Sequence, residues 1–387
     1  MNDRHMQIGV IGCGVISSAY LRGLSLSSMA KVKSIADIDC AVARAQADAF
    51  NVGAATVETV LADPDIELII NLTVPTAHFE VSHRILRAGK HVYSEKPLCA
   101  SFQEAVELID LAKERGLRVG CAPDTFLGAS HQASRAAIDN GAIGKVLSGS
   151  LCVQSRGMES WHPNPDFFFR RGGGPVLDLG PYYLTQLVNL LGPVQSVLAS
   201  ANTGFAYRTI GSGPRAGEAI PVETPTSYSA ILSLHSGARI TFEASWDVWK
   251  HQRSPIELYG TEGSLSVPDP NFFGDNPRLS VRHGDWQAID ISRYAFGTQN
   301  RILRSGTSVA DHRCIGVVDL VAAIHQRRPH RANGELALHV LEVLEAISTS
   351  AAQRRPVDIS SSCVRPDPVP PGADEGVFFA DPSFQTG

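Results

Sequence analysis

A short apolar run, Ile8–Ile11, feeds directly into Gly12-Cys13-Gly14-Val15-Ile16-Ser17. Gly12 and Gly14 stand at the spacing of the first two glycines of a dinucleotide-binding turn, and Ser17 stands where the third is usual. Each position has a physical task. Gly12 permits a tight turn, and Gly14 lets the backbone approach a pyrophosphate. The N–H groups of the helix opening at Val15 and Ile16 face its negative charge. A small Ser at the third position still lets the helix pack closely on the strand. The second apolar run ends at Asp37. A carboxylate there hydrogen-bonds a ribose 2′-OH and repels a 2′-phosphate. Ile38 follows, not Arg, so the turn predicts NAD rather than NADP. The plainer alternative makes Asp37 a strand-end turn residue, sharing that role with Asp39.

The elements that must position this turn are legible as alternation. Residues 7–122 switch between short apolar runs and helical patterns. Strands are predicted at Ile8–Ile11, Val32–Ala36, Ile66–Val74, His91–Ser94 and Val119–Ala122. Helices are predicted at Ala41–Phe50, Phe79–Ala88 and Phe102–Arg115, the last opened by a Ser101/Glu104 capping box and stopped by Gly116. Such alternation implies a doubly wound parallel sheet. The run Ile66–Val74 has the unbroken apolar character of a strand buried on both faces. Past residue 123 the pattern changes to long β-type runs: Val146–Gln154, Val194–Ala201, Ser227–Leu234, Arg239–Ser245 and Ile256–Tyr259. Two late helices follow, Ile315–His325 and Glu335–Thr349. The fold class is therefore α/β: an N-terminal Rossmann domain (1–122), then an α+β domain on a largely antiparallel open sheet (123–365). A Pro/Gly-rich tail, poorly ordered or wrapped on the surface, is expected over 366–387.

Composition narrows the function classes. The 387 residues carry a net charge of −5 without charge blocks, and 43% are apolar. That predicts two domains and neither a nucleic-acid footprint nor a membrane-surface patch. No apolar run reaches the ~20 residues of a membrane helix. Arg4 and His5 before Ile8–Ile16 imitate a signal peptide, but Gly9, Gly12 and Gly14 break the run, so a cytoplasmic protein is expected. The seven cysteines are scattered without a C-x-x-C pair, which points to small buried hydrophobes. No cluster has metal-ligand spacing, so no metal is expected.

A further set of motifs occurs in order along the chain. These are Leu72-Thr73-Val74-Pro75-Thr76-Ala77-His78, Ser94-Glu95-Lys96-Pro97, Gly141-Ala142-Ile143-Gly144-Lys145, Gly172 to Tyr182 and Tyr259-Gly260-Thr261-Glu262-Gly263-Ser264. With the glycine turn they resemble the glucose–fructose oxidoreductase / inositol dehydrogenase (Gfo/Idh/MocA) family over roughly residues 6–360. The resemblance implies an NAD-dependent oxidoreductase. It sets Thr73, Pro75 and His78 beside the nicotinamide ribose, and Glu95, Lys96 and Pro97 beside the nicotinamide, with a cis bond before Pro97. It also implies a homodimer or homotetramer, built on the open sheet face.

Oxidising a secondary alcohol needs a base for the hydroxyl proton as the hydride leaves, and the carbonyl side benefits from a nearby positive charge. Lys96 supplies that charge. Asp178 and Tyr182, at i and i+4, share one face if their segment is helical. Alternatively, Asp178 is an N-cap with Pro181 in the first turn and Tyr182 a core aromatic. Many members of the resembled family have His where this chain has Tyr182, which leaves the proton carrier open. A phenol is a poor base unless a cation aids it, and Lys96 could do so. Tyr182 is assigned as acid/base, Lys96 as its tuning group and Asp178 as the group that orients substrate. The swapped assignment, with Asp178 as base, is a close second. Upstream, residues 159–171 form a polar and aromatic loop. Trp161 and His162 are its substrate-binding candidates, with Asp124 and Arg156 behind them and Asp311, His312 and Arg313 further back. The expected substrate is a non-phosphorylated cyclic sugar, glycoside or inositol, with an acidic sugar kept open by Arg156, Arg170 and Arg171. Two rivals stand: a glycosidase that oxidises its sugar transiently with retained NAD, and a non-catalytic NAD-sensing protein.

Overall fold

The computed structural model describes residues 5–303 and 306–373. They divide into two compact units. The first takes the residues up to Ala129, then Ser292–Leu341 and the stretch from Pro366, and the second takes Ser130–Ile291 and Glu342–Arg365.

The first unit is built on β1 (Met6–Ile11), β2 (Ala30–Ala36), β3 (Gly53–Ala54), β4 (Ile66–Asn71), β5 (His91–Ser94) and β6 (Val119–Cys121). They form one parallel sheet in the order β3-β2-β1-β4-β5-β6. Helices α1 (Ser17–Ser25), α2 (Cys40–Phe50), α3 (Val57–Ala62), α4 (His78–Arg87) and α5 (Phe102–Glu114) supply the crossovers. In β4, Ile66, Leu68, Ile69 and Ile70 are all buried, as a strand covered on both faces requires. The predicted strand over 66–74 ends early, at Asn71, and that residue is the reason. Its buried amide nitrogen donates to His78 O and Ser82 Oγ, and its oxygen accepts from the Thr73 N–H and hydroxyl. These bonds turn the chain out of the sheet. The capping box on α5 forms as read, with Glu104 N donating to Ser101 Oγ and Ser101 N donating to Glu104 Oε2.

The second unit follows α6 (Ala129–Asp139) with β7 (Val146–Gln154), α7 (Asp166–Phe169) and α8 (Pro175–Leu191). Then come β8 (Val194–Asn202), β9 (Tyr207–Thr209), β10 (Ala219–Pro221), β11 (Ser227–Leu234) and β12 (Arg239–Ser245). The run ends with β13 (Ile256–Gly260), β14 (Gly263–Val267), β15 (Arg278–Val281) and β16 (Gln287–Ala288). Its nine-stranded sheet, order β16-β15-β14-β13-β7-β12-β11-β8-β19, ends on β19 (Val357–Asp358). Only β12 against β7 is parallel, so the sheet is largely antiparallel as expected. Tyr228, Ala230, Leu232 and Leu234 alternate inward along β11. The buried side of α8 (Val176, Leu184, Leu187, Val188) covers β7, β11 and β12. β9 and β10 pair as a separate hairpin.

The chain then returns to the first unit through β17 (Arg301–Ile302), β18 (Ser308–Val309) and α9 (Ile315–Gln326), and α10 (Gly334–Gln353) crosses the division. Assigning all of 123–365 to one domain misses this return. Its cause is polar. Asp124 Oδ2 accepts from Cys314 N (3.0 Å) and Gly316 N (2.9 Å) at the start of α9, and Cys121 N donates to Ala332 O along the edge of β6. Residues 366–373 run along the same unit, where Arg331 holds the carbonyls of Asp367 and Pro368 and Val369 is buried. The rest of the expected tail, 374–387, lies outside the described residues.

Asp319 on α9 is fully buried and joins this return to itself. Oδ1 lies 2.8 Å from Arg328 and 2.5 Å from Arg331, and Oδ2 accepts from Arg331 N at 2.6 Å. Burial alone would raise its pKa, but Arg331 and Arg328 outweigh that and hold it below the ordinary carboxylate value. A depressed folded pKa gives stability that is present above the unfolded value and lost as pH falls through the folded one. Asp319→Ala should therefore cost about 3 kcal/mol at neutral pH, by leaving two arginines without their buried partner. The gap to wild type should close only in acid, below about pH 4. Urea denaturation across pH checks this, and equal midpoints at pH 7 would disprove it.

Candidate functional site

Three loops at the carboxyl ends of neighbouring parallel strands build the site in the first unit. The sheet order changes direction between β1 and β4, the crevice where open α/β sheets hold ligands. Gly12 follows β1 with φ +101°, and a Cβ there would lie 2.5 Å from the Leu72 carbonyl carbon and oxygen, just past β4. Two backbones meet here with no room for a side chain. Gly14 differs, since a Cβ would meet nothing within 4 Å. Ser17 is buried, its hydroxyl donating to Gly14 O at 2.7 Å and accepting from Gln46. Its small side chain lets α1 begin close against the turn.

Asp37 and Asp39 have separate tasks. Asp39 is the N-cap of α2. Asp37 leans back over the glycine turn, Oδ2 accepting from Cys13 N at 2.7 Å and Oδ1 from Asp39 N at 2.9 Å. Each oxygen keeps a lone pair for a ribose hydroxyl. Val15 and Ile38 beside the turn are almost wholly exposed, at 99% each. Bare apolar side chains flanking an open glycine cradle and a fixed carboxylate fit a bound dinucleotide. Burial and the nearby Asp37 push the Cys13 thiol up to about 11, so it is no nucleophile at neutral pH.

The second and third loops are braced against each other. His78 is buried, one ring nitrogen 2.6 Å from Pro97 O and the other 3.0 Å from Thr73 O. It links the loop after β4 to the loop after β5, a positioning task rather than contact with a ligand. Pro75 opens a single 3-10 turn between them. The Lys96–Pro97 bond is cis. Glu95 takes the Tyr20 hydroxyl at 2.8 Å on one oxygen and the Lys96 N–H at 3.0 Å on the other. Glu95 thus fixes the main chain of Lys96. Sequence reasoning missed Tyr20 and Asn71; Tyr20 lay three residues beyond Ser17 on α1, a helical spacing that could have flagged it.

In the second unit, α8 is capped by Gly174, so Asp178 is not an N-cap and Pro181 lies inside the helix, past its first turn. Asp178 and Tyr182 are one turn apart and half-buried. Tyr183 is buried instead and donates to Asp269 at 3.4 Å, with burial and then Asp269 raising its pKa well above the usual phenol value. In the upstream loop, His162 packs edge-on against Trp161, Phe167 and Phe168, and Phe169 sits buried on Trp246. Trp161 is 46% exposed. Phe169 thus anchors the loop in the core, while Trp161 faces outward.

Asp124 is a correction. It is 2% exposed and engaged with the first N–H groups of α9, leaving no face for substrate. Burial raises its pKa to about 6, against the bonds from Gly316 and Cys314. Asp311 is paired with Arg301 and Arg313, and His312 bonds Thr298 O. Among the described residues, no three His, Cys, Asp or Glu side chains gather as metal ligands, and no helix is long and apolar enough to cross a membrane.

A parallel sheet with a glycine cradle at its switch point, a carboxylate bonded over that turn and a lysine loop alongside is the architecture of a nicotinamide-dinucleotide oxidoreductase. Residues 6–122 match the model of an oxidoreductase family with an NAD-binding Rossmann fold, and residues 131–266 match the GFO/IDH/MocA C-terminal domain. A dTDP-3,4-didehydro-2,6-dideoxy-alpha-D-glucose 3-reductase of Streptomyces violaceoruber is 32% identical over 78% of this chain and 81% of its own length. An inositol 2-dehydrogenase of Rhizobium meliloti is 22% identical over 92% and 99%. The crystal structure of an NAD binding oxidoreductase from Klebsiella pneumoniae superposes with TM-score 0.78 at 24% identity, covering 92% of this chain and 100% of that one. The chain belongs to the GFO/IDH/MocA family of NAD-binding oxidoreductases.

The two glycines make separable predictions. Gly12→Ala should destabilise the protein by at least ~1 kcal/mol, since both φ and the Leu72 backbone oppose it, and should abolish NAD binding. Gly14→Ala should leave the melting temperature unchanged and weaken NAD roughly 10-fold, for about 1.4 kcal/mol of lost backbone approach. Thermal melts and NAD calorimetry decide. Equal destabilisation by both would refute the assignment of strain to Gly12 alone.

Proposed function

We propose that the protein moves a hydride between NAD and a ring secondary alcohol, or its ketone, in a sugar, glycoside or inositol. The observation that carries this is the lysine loop. Lys96 follows β5 at the same sheet end as the glycine cradle, its main chain fixed by Glu95 and its neighbour Pro97 braced by His78. Bound NAD supplies the hydride acceptor or donor. The chain's own residues do the rest. The turn from Gly12 to Ile16 and Asp37 hold the pyrophosphate and ribose, and Thr73 and Pro75 border the nicotinamide ribose. The Lys96 ammonium stabilises charge at the substrate oxygen. Tyr182 exchanges the hydroxyl proton with Asp178 orienting the substrate, or Asp178 takes the proton itself. Trp161, with His162 behind it, offers an apolar face for a ring. The named activities of the Streptomyces reductase and the Rhizobium dehydrogenase, both on ring carbons, support the substrate class. His78 and Glu95 enter as positioning residues, and Asp124 has no role.

Asp37 should favour NAD over NADP, and Asp37→Ala should narrow that preference; a higher kcat/KM with NADP in the wild type would overturn the assignment. Lys96→Ala should lower turnover at least ~100-fold while NAD binding survives. A large loss of kcat in Tyr182→Phe assigns the proton to the phenol, whereas near-normal activity passes it to Asp178. The wider test is NADH formation across sugars, inositols, glycosides and aliphatic alcohols. Activity confined to an aliphatic alcohol would refute the proposal.

A further inference from the structure

Arg156, in the loop after β7, lies between two aromatic faces. Its guanidinium carbon is 4.1 Å from the ring centre of Trp249 and 4.8 Å from that of Phe205. Trp249 is 78% exposed and Phe205 43%, so the stack opens to solvent. Stacking sets the plane of the guanidinium and directs its N–H groups sideways, out of the stack. Yet Nη1 is buried and has no hydrogen-bond partner among the described residues. Polar groups left this way in native structures need an explanation.

The neighbouring carboxylates make no bond to it: Arg208 takes Glu159 Oε1 and Asp247, while Glu159 Oε2 is itself buried without a hydrogen-bond partner among the described residues. Arg208 is 3% exposed and donates to Glu159 at 2.9 Å, to Asp247, and to the carbonyls of Arg156 and Trp246. Asp247 also accepts the Thr226 hydroxyl at 2.6 Å. Two carboxylates converge on one arginine while a second arginine nearby has its nitrogen orphaned. The Arg208 network fixes the Arg156 main chain and ties the hairpin of β9 and β10 to the ends of β7 and β12. The same network runs on to α8. Arg208 stacks on Phe169 (5.5 Å), Glu223 N donates to Phe169 O, and Gly174, the cap of α8, donates to Phe168 O. The stacked arginine is therefore continuous with the segment that opens the helix of Asp178 and Tyr182.

We propose that Arg156, stacked between Trp249 and Phe205, is a specificity residue that pairs with a carboxylate on the substrate, so that the preferred substrates are sugar acids. This rests on the oxidoreductase reading above. The guanidinium edge matches a carboxylate's two oxygens. Its single charge balances a monoanion, while the second charge of a phosphate finds no partner within the stack. The carboxylate supplies the acceptor that Nη1 lacks, and the exposed side of Trp249 covers the apolar face of the sugar.

The test uses the full-length protein with saturating NAD and matched pairs that differ only in the acid: glucuronate against glucose, and galacturonate against galactose. Glucose 1-phosphate is the phosphate arm. Binding is read from tryptophan fluorescence and by calorimetry, on the wild type, Arg156→Met and Arg156→Lys. The acid of at least one pair should bind at least tenfold more tightly than its neutral partner and more tightly than the phosphate. Arg156→Met should erase that preference, and Arg156→Lys should restore only part of it, since an ammonium lacks the paired donors. NAD affinity should be the same in all three, which separates a lost subsite from a lost fold. Pairs that bind alike or not at all, a preference that survives Arg156→Met, or a stronger phosphate would overturn the proposal. The two readings fail separately. Equal kcat/KM on neutral and acidic sugars sinks the carboxylate subsite and leaves the enzyme. An acid preference in binding without NADH formation from any sugar or polyol does the reverse.

Discussion

At Gly12 the backbone after β1 presses against the Leu72 carbonyl after β4, with no space for a single added carbon. These strands are neighbours at the point where the sheet order reverses, so their connections leave in opposite directions and open a crevice. Close approach lets the rest of the first-unit site assemble by short bonds. Cys13, next to Gly12, presents its N–H to Asp37. Asn71, at the end of β4, holds Thr73, and His78 carries that order across to Pro97. Glu95 completes the series at Lys96. Asp37, the glycine turn and the Lys96 loop thus share one rigid frame, and groups held so tightly keep their relative positions to within a fraction of an ångström.

The second unit solves a different problem. Its helix α8 keeps Asp178 and Tyr182 half-buried on one face while burying its other side on a sheet, and an i, i+4 spacing does both. The segment entering α8 is irregular and aromatic, which makes its path depend on side chains rather than on a ladder. The buried Arg208 sets that path. A guanidinium out of water is costly unless its donors are met, and here two carboxylates and two carbonyls meet its two terminal nitrogens.

Much of this was legible in the sequence because it follows from period and spacing. A continuous apolar run identified β4, and the Ser101/Glu104 box marked the start of α5. The glycine spacing marked the tight turn between β1 and α1. The remainder was hidden for a common reason. Asn71, Tyr20 and Arg208 act through partners 7 to 75 residues away in the chain, and no local pattern announces such a pairing. The same blindness placed residues 292–341 in the wrong unit. Their return depends on one carboxylate, Asp124, meeting two backbone N–H groups 190 and 192 residues later.

Asp124 and Asp319 show why residue type at a loop is a weak guide to function. Both are buried carboxylates of the first unit, and burial alone would raise the pKa of each. Asp319 meets two guanidinium groups, whose full charges outweigh the desolvation, and its pKa falls. Asp124 meets the partial charges of two N–H groups at the start of α9, with Arg313 adding attraction and Glu95 repulsion, and its pKa stays raised, at about 6. A raised carboxyl in a cleft is an ordinary sign of catalysis. Here the cleft is missing, and the same shift records a helix end that could be satisfied only from inside the protein. What separates a functional carboxylate from a structural one is the identity and number of its donors, and those are set by the fold rather than by the residue.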